Sequence, residues 1–302
     1  MIFRVEHLFK RYAPDADYAN RDIGFTIGEG EVFCLLGDNG SGKTTLVRQL
    51  VGLSRPTSGT IEFAGIPIHV DPGRIPLMVG YMPQDADSLN HLTVAEAFYY
   101  TAHLRGMSRS EARRECGRLL DIWGLESLKD KDNATLSGGM RRIMRLALAT
   151  AGSPPVVVLD EPTNDLDPLR RRQVWNLLGQ MNRKQGVTIL FVTHDLLEAE
   201  KVVHRVGILH RGALIAIGRP DDLKREAGFR LRVEIRYKAG TQAGILPDNL
   251  SCEWLDENTL TAHGNWPDLL RLLAAVGPEC FESIRIHTVT LEDLYIHHVT
   301  RT

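Results

Sequence analysis

The apolar positions of this chain change period along its length. Alternation opens it, and an unbroken apolar run at Val32–Leu36 leads into a glycine-rich loop and then a helix beginning near Gly42. Two further runs, at residues 156–159 and 188–192, are short, rich in branched side chains and bounded by turn or charged residues. That is the pattern of parallel strands buried on both faces. Between the glycine-rich loop and these runs, over about residues 88–150, the period becomes helical. Thr93 with Glu96 and Ser108 with Glu111 have capping-box spacing, and Ala112, Cys116, Leu119, Leu120 and Trp123 recur along one helical face. Together these patterns predict an α/β sheet interrupted by a helical insert.

After Gly228 the period changes again. Phe229, Leu231, Val233, Ile235 and Tyr237 alternate with Arg230, Arg232, Glu234, Arg236 and Lys238, which predicts a half-exposed antiparallel strand whose basic face is a solvated edge. Leu269, Leu270, Leu272 and Leu273 predict a short helix and residues 283–288 another strand, while Thr290 and Asp293 are placed to cap a last helix. The expected organisation is a first domain over 1–225, with its helical subdomain at about 88–150, and a small α+β domain over 226–302. A chain of 302 residues accommodates two domains of roughly 150 residues each.

Charge removes some classes of function. Lys and Arg total 36, Asp and Glu 38, and the net charge of −2 gives no global electrostatic footprint for nucleic acid or an anionic membrane. The longest stretch without a charged residue, 146–159, is broken by Ser153, Pro154 and Pro155, so no segment provides the roughly 20 apolar residues that span a bilayer. Arg4, Glu6 and His7 interrupt the start where a secretory signal would be apolar, and the expectation is a chain that stays in the cytoplasm. Cys34, Cys116, Cys252 and Cys280 form no C-x-x-C pair and read as reduced, packed thiols.

Three segments carry chemistry. Gly37-Asp38-Asn39-Gly40-Ser41-Gly42-Lys43-Thr44 satisfies G-x-x-x-x-G-K-[ST], with a strand before it and a helix after it. Its glycines permit positive φ and let backbone N–H groups approach phosphate oxygens beside a helix N-terminus. Lys43 would neutralise the β- and γ-phosphates, and the Thr44 hydroxyl would ligate Mg²⁺. The second segment, Val156-Val157-Val158-Leu159-Asp160-Glu161-Pro162, is an apolar strand ending in adjacent acids for which a buried strand has no structural use. Asp160 fits a Mg²⁺-holding acid and Glu161 a general base that deprotonates water. The third, Leu136-Ser137-Gly138-Gly139-Met140, opens a helix with an apolar face and offers a hydroxyl and glycine amides at its N-terminus, a second phosphate site.

In motif order and spacing, residues 2–225 resemble the nucleotide-binding subunits of ABC transporters. The resemblance implies a P-loop NTPase cassette: a parallel-sheet core with an antiparallel β subdomain and a helical subdomain. Two copies, or this chain and a paralogous cassette, would dimerise head to tail and sandwich MgATP between the P-loop of one and the signature loop of the other. By position, Gly37 to Thr45 is the Walker A loop, with Gly37, Asn39, Gly40, Ser41, Gly42, Lys43, Thr44 and Thr45 binding nucleotide. Gln84 in Tyr81-Met82-Pro83-Gln84 matches the Q-loop glutamine that senses Mg²⁺; Ser137, Gly138 and Gly139 belong to the signature, and Asp160 and Glu161 are the Walker B pair. Asp167 matches the D-loop aspartate. His194 matches the switch histidine, which would contact the γ-phosphate and hold the attacking water. Tyr12 is similar to the aromatic that stacks on adenine, with a core tyrosine as the competing reading.

Two positions depart from the pattern. Met140 stands where many relatives have glutamine. Asp38 replaces a common proline and is expected to face outward, away from phosphate. Met140, Leu291-Glu292-Asp293-Leu294-Tyr295 and the small domain before it resemble single-cassette ATPases of ABC-2-type export systems, whose membrane subunit is a separate polypeptide. The resemblance therefore implies a peripheral ATPase at the cytoplasmic face of a membrane, with a permease docking near residues 85–105. A soluble ABC ATPase acting on ribosomes or nucleic acid is the alternative, but such proteins carry paired cassettes or long coiled coils, and this sequence has neither. A ligand sensor in the last domain finds little support, because His297 and His298 are adjacent and share no helix face.

Overall fold

The computed structural model describes residues 1–84, 89–193, 199–226, 231–238, 250–276 and 280–300. The chain forms two compact units, Met1–Ile217 and Gly218–Thr302.

The first unit opens with β1 (Phe3–Lys10), β2 (Asn20–Ile27), β3 (Val32–Leu36) and α1 (Lys43–Leu50), followed by β4 (Ser58–Phe63), β5 (Ile66–Pro67), α2 (Arg74–Met78) and β6 (Val79–Met82). The helical insert is α3 (Val94–Leu104), α4 (Arg109–Ile122) and α5 (Gly138–Thr150). Then come β7 (Val156–Asp160), α6 (Pro168–Gln185), β8 (Thr188–Val192), β9 (Arg205–His210) and β10 (Ala213–Gly218). One sheet has the order β2-β1-β4-β5 and is antiparallel. The other has the order β10-β9-β3-β8-β7-β6, and from β9 to β6 every pairing is parallel.

Every residue of β3, β7 and β8 is buried, as expected for strands covered on both faces. Leu46, Val47 and Leu50 of α1 share a core with Val156, Val158, Leu190 and Val192, and the stacked rings of Phe25 and Phe33 join the two sheets. Register sets the level of the chemistry. Leu35 pairs with Val192 and Val192 with Asp160, so the loop after β3 and the acids ending β7 emerge at the same carboxyl edge, where ligands of open parallel sheets bind.

Both capping boxes of the insert are present, at Thr93–Glu96 and Ser108–Glu111. Ala112, Leu119, Leu120 and Trp123 are buried, whereas Cys116 is half-buried with its thiol donating to the Ala95 carbonyl at 3.4 Å. All four cysteines are free. Among the described residues, no helix is long and apolar enough to cross a membrane.

The second unit contains α7 (Pro220–Glu226), β11 (Leu231–Tyr237), β12 (Ser251–Trp254), β13 (Thr259–Gly264), α8 (Trp266–Val276), β14 (Phe281–Thr288) and α9 (Leu291–Thr300). Its sheet is antiparallel in the order β12-β13-β11-β14. The solvated-edge expectation for the basic strand is corrected here: β11 lies inside the sheet, hydrogen-bonded on both sides. Leu231, Val233, Ile235 and Tyr237 face a core with Leu260, Leu269 and Leu272. The charged positions are matched across neighbouring elements, Arg232 with Asp293 at 3.0 Å and Arg236 with Glu282 at 3.2 Å. Alternation reports which face is buried, and an interior strand and an edge strand satisfy it equally. Phe229 and Arg230 lie outside the described residues. Asp293 also accepts from the Thr290 backbone at 2.8 Å and from its hydroxyl at 2.8 Å, forming the anticipated cap of α9.

Candidate functional site

The loop between β3 and α1 depends on residues that no side chain could replace. Gly42 has φ 101°, and a Cβ there would run into the Ala19 carbonyl and the Asn20 amide. Asn20 donates to the Gly42 carbonyl at 3.1 Å and accepts from Gln49 at 2.7 Å, so two buried amides brace the loop from beneath. Lys43 folds back over it, its ammonium donating to the carbonyls of Gly37 at 2.6 Å and Asp38 at 2.8 Å. Burial lowers the Lys43 pKa, while the charges of Glu161, Asp160 and Asp38 oppose that change. Asp38, Asn39 and Gly40 are exposed, and Asp38 contributes its carbonyl to Lys43, in keeping with an outward-facing residue.

Asp160 and Glu161 are both buried at the end of β7. Neither carboxylate oxygen of Asp160 has a hydrogen-bond partner among the described residues. Burial raises the Asp160 carboxyl above the ordinary range; Glu161 adds to the rise, and Thr44, Lys43 and Arg48 oppose it. Glu161 occupies the left-handed region at φ 51°, a conformation seldom adopted by a side chain of this length. Its peptide is held at both ends, the N–H donating to the Val192 carbonyl at 2.9 Å and the C=O accepting from Arg142 at 3.0 Å.

These segments enclose a cleft of about 460 Å³ lined by Asn39, Gly40, Gly42, Lys43, Thr44, Thr45, Gln84, Asp160 and Glu161, together with Ala19 and Asn164. Gly37 and Ser41 lie in the supporting backbone of the same loop, where Ser41 is buried. Tyr12 is 63% exposed, which removes the core-tyrosine reading, and its hydroxyl lies 3.1 Å from the Thr45 hydroxyl at the rim. The orphaned carboxylate of Asp160 and the adjacent Thr44 hydroxyl form an oxygen donor set suited to a hard divalent cation shared with phosphate.

Ser137, Gly138 and Gly139 do not line this cleft. Ser137 caps α5, accepting the Met140 N–H at 3.4 Å, and is exposed along with Gly138. Asp167 caps α6 by accepting the Arg170 N–H at 3.0 Å and is also exposed. Met140 receives a contact from the Arg170 guanidinium at 2.7 Å. His194 lies outside the described residues, as do residues 85–88 of the anticipated docking segment. Sequence reasoning missed Ala19, Asn20, Gln49, Arg142 and Asn164. Asn164 falls only three positions after Glu161 and Gln49 lies on α1 just after the loop, but Ala19, Asn20 and Arg142 come from more remote segments and carry no local signal.

A phosphate-cradling loop, a buried lysine and two acids at the carboxyl edge of a parallel sheet define a P-loop NTPase. The ABC transporter family matches residues 20–164. The retinal-specific phospholipid-transporting ATPase ABCA4 of Mus musculus is 38% identical over 236 residues, covering 78% of this chain and 10% of that protein. This chain thus spans about a tenth of the length of that curated relative. The ATP-binding subunit of an ABC transporter, a solved structure, superposes with a TM-score of 0.70 at 30% identity, over 76% of this chain and 94% of that one. The dimeric post-hydrolysis cassette MJ0796, bound to ADP and Pi, gives a TM-score of 0.67 at 25% identity, over 72% and 98% of the two chains. The chain belongs to the ABC transporter family, as an ATP-binding cassette of the ATPase class.

Proposed function

We propose that the chain binds MgATP, hydrolyses it at the interface of a head-to-tail dimer, and drives export through a separate membrane permease at the cytoplasmic face of a membrane. The observation that carries this reading is a division of labour: Lys43, Thr44, Asp160 and Glu161 converge on one cleft, while Ser137 and Gly138 stand exposed, with Gly139 half-buried, at a helix N-terminus outside it. A second copy supplies a signature loop to a cleft that has none of its own. The likeness to phospholipid-transporting ATPases agrees with transport, and the permease would choose the cargo.

In the closed site, the loop amides and Lys43 take the β- and γ-phosphates, and the Tyr12 ring carries the adenine. Thr44 and Asp160 would hold Mg²⁺, which when bound neutralises phosphate charge. Glu161 accepts the proton of the attacking water as its oxygen bonds to the γ-phosphorus and the bond to ADP breaks. Gln84 and His194 complete the surroundings of the γ-phosphate.

Mixing two disabled chains tests the composite site. Lys43→Ala removes the P-loop lysine and Ser137→Arg blocks the signature. A one-to-one mixture is expected to regain roughly a quarter of the wild-type rate, since about half of the dimers are mixed and one of the two sites in each is intact. No recovery above the separate variants counts against the composite site. Tyr12→Ala is expected to weaken ATP binding about tenfold through lost stacking, with Tyr12→Phe within about threefold of wild type, measured by nucleotide titration.

A further inference from the structure

We propose that Arg142 is a positioning residue for Glu161, fixing the backbone from which the general base projects and tying that base to the signature helix of the same chain. This rests on the reading of Glu161 as the base. Arg142 lies on α5, five residues after the capping Ser137, and its side chain is only 10% exposed. One guanidinium nitrogen donates to the Glu161 carbonyl at 3.0 Å, and the other reaches the Asp165 carboxylate at 3.3 Å. Both targets are non-glycine residues in the left-handed region, Glu161 at φ 51° and Asp165 at φ 61°. A turn holding two such residues persists only where its surroundings over-determine it. Arg142 supplies a charge-assisted hydrogen bond to one end of that turn and an ion pair to the other.

The same helix reaches the opposite wall of the cleft, where Arg145 donates to the Gln84 carbonyl at 3.3 Å. A Cβ at Gly139 would meet the Leu166 side chain and the Asp165 carbonyl at ordinary contact distance, so the signature lies beside the turn that Arg142 clamps. A change in the cleft that moves Glu161 or Gln84 is therefore felt at Ser137, the group offered to the partner's nucleotide. Neither arginine lines the cleft; both act through the backbone of residues that do.

The test uses the full chain with Arg142→Met, Arg142→Lys and Asp165→Asn, each assayed for steady-state hydrolysis, MgATP binding and thermal unfolding. Arg142→Met is expected to lower kcat about tenfold while KM and the ATP Kd stay within about twofold. Arg142→Lys should recover part of the loss, since one donor remains, and Asp165→Asn should lower kcat about twofold by releasing the clamp from its far end. A merely structural role would depress binding, turnover and melting temperature together and show no rescue by lysine; either result overturns the proposal, as does wild-type kcat in Arg142→Met. If Arg142→Met does not fold, Arg142→Lys and Asp165→Asn decide the matter by the same kcat-against-KM split. Glu161→Gln separates the two readings: full turnover there overturns the base assignment, whereas an inactive Glu161→Gln beside a wild-type-like Arg142→Met overturns the positioning role alone.

Discussion

Glu161→Gln is expected to lower ATP hydrolysis by about 10²- to 10⁴-fold, the range attributed to a positioned general base. The substitution keeps the shape of a side chain that is 5% exposed and removes the lone-pair basicity that takes the proton of water. The hydrogen bonds described for the loop are kept, although one of the charges that favours the protonated form of Lys43 is lost. Lys43 is fixed by the carbonyls of Gly37 and Asp38, and the Glu161 backbone by Val192 and Arg142, none of which depends on the Glu161 carboxylate. ATP affinity should stay within about threefold of wild type, because binding free energy and transition-state stabilisation come from different groups. With the γ-phosphate retained, the dimer should persist in MgATP and dissociate after exchange into ADP. Phosphate release in a single turnover, equilibrium nucleotide binding and light scattering measure the three effects. Undiminished phosphate release would remove Glu161 from the mechanism, and lost binding would make its role structural.

The residues that were legible in the sequence are those whose chemistry depends on neighbours in the chain. The run Gly37 to Thr44 and the pair Asp160–Glu161 are each fixed by one strand end, so spacing located them and the sheet register brought them to one edge. Periodicity found β3, β7 and β8 because strands buried on both faces leave uninterrupted apolar runs. The family resemblance, and not the residues alone, pointed to Tyr12, Gln84, Asp167 and His194. What stayed hidden was pairing over long sequence distance. Asn20 and Gln49 brace the phosphate loop through a buried amide contact that nothing in either segment announces. Arg142 reads as one of several basic residues on a helix until the fold brings it to the Glu161 carbonyl. The interior place of β11 was hidden for a different reason. Its charges are compatible with a solvated edge, and only the partners Asp293 and Glu282 show how an interior strand accommodates them.

Asp160→Asn should separate stability from activity, raising the first while destroying the second. The Asp160 carboxylate is buried with neither oxygen hydrogen-bonded among the described residues. Burial holds its pKa above the ordinary carboxyl value. A folded-state pKa above the unfolded one means that the folded protein binds the extra proton. The stability this contributes is present below the unfolded value, about pH 3.9, and is lost as pH rises through the folded pKa. Where Asp160 is ionised, the wild type therefore carries a buried charge that asparagine does not, offset only in part by Thr44, Lys43 and Arg48. The variant should be more stable by about 1 kcal/mol, a rise of roughly 2–4 °C in the melting of the first unit. The gap should narrow as the buffer is acidified and Asp160 takes up its proton in the folded chain. Saturating MgATP should reverse the order, because ligand binding stabilises only the chain that can hold the cation, and hydrolysis by the variant should fall about 10²- to 10³-fold. Thermal melts at several pH values, with and without MgATP, read both effects. Equal melting at neutral pH would mean that Lys43 already compensates the carboxylate, and an unchanged gain from MgATP would place the cation on other ligands. The strand end is destabilised in the same atoms that give it its chemistry.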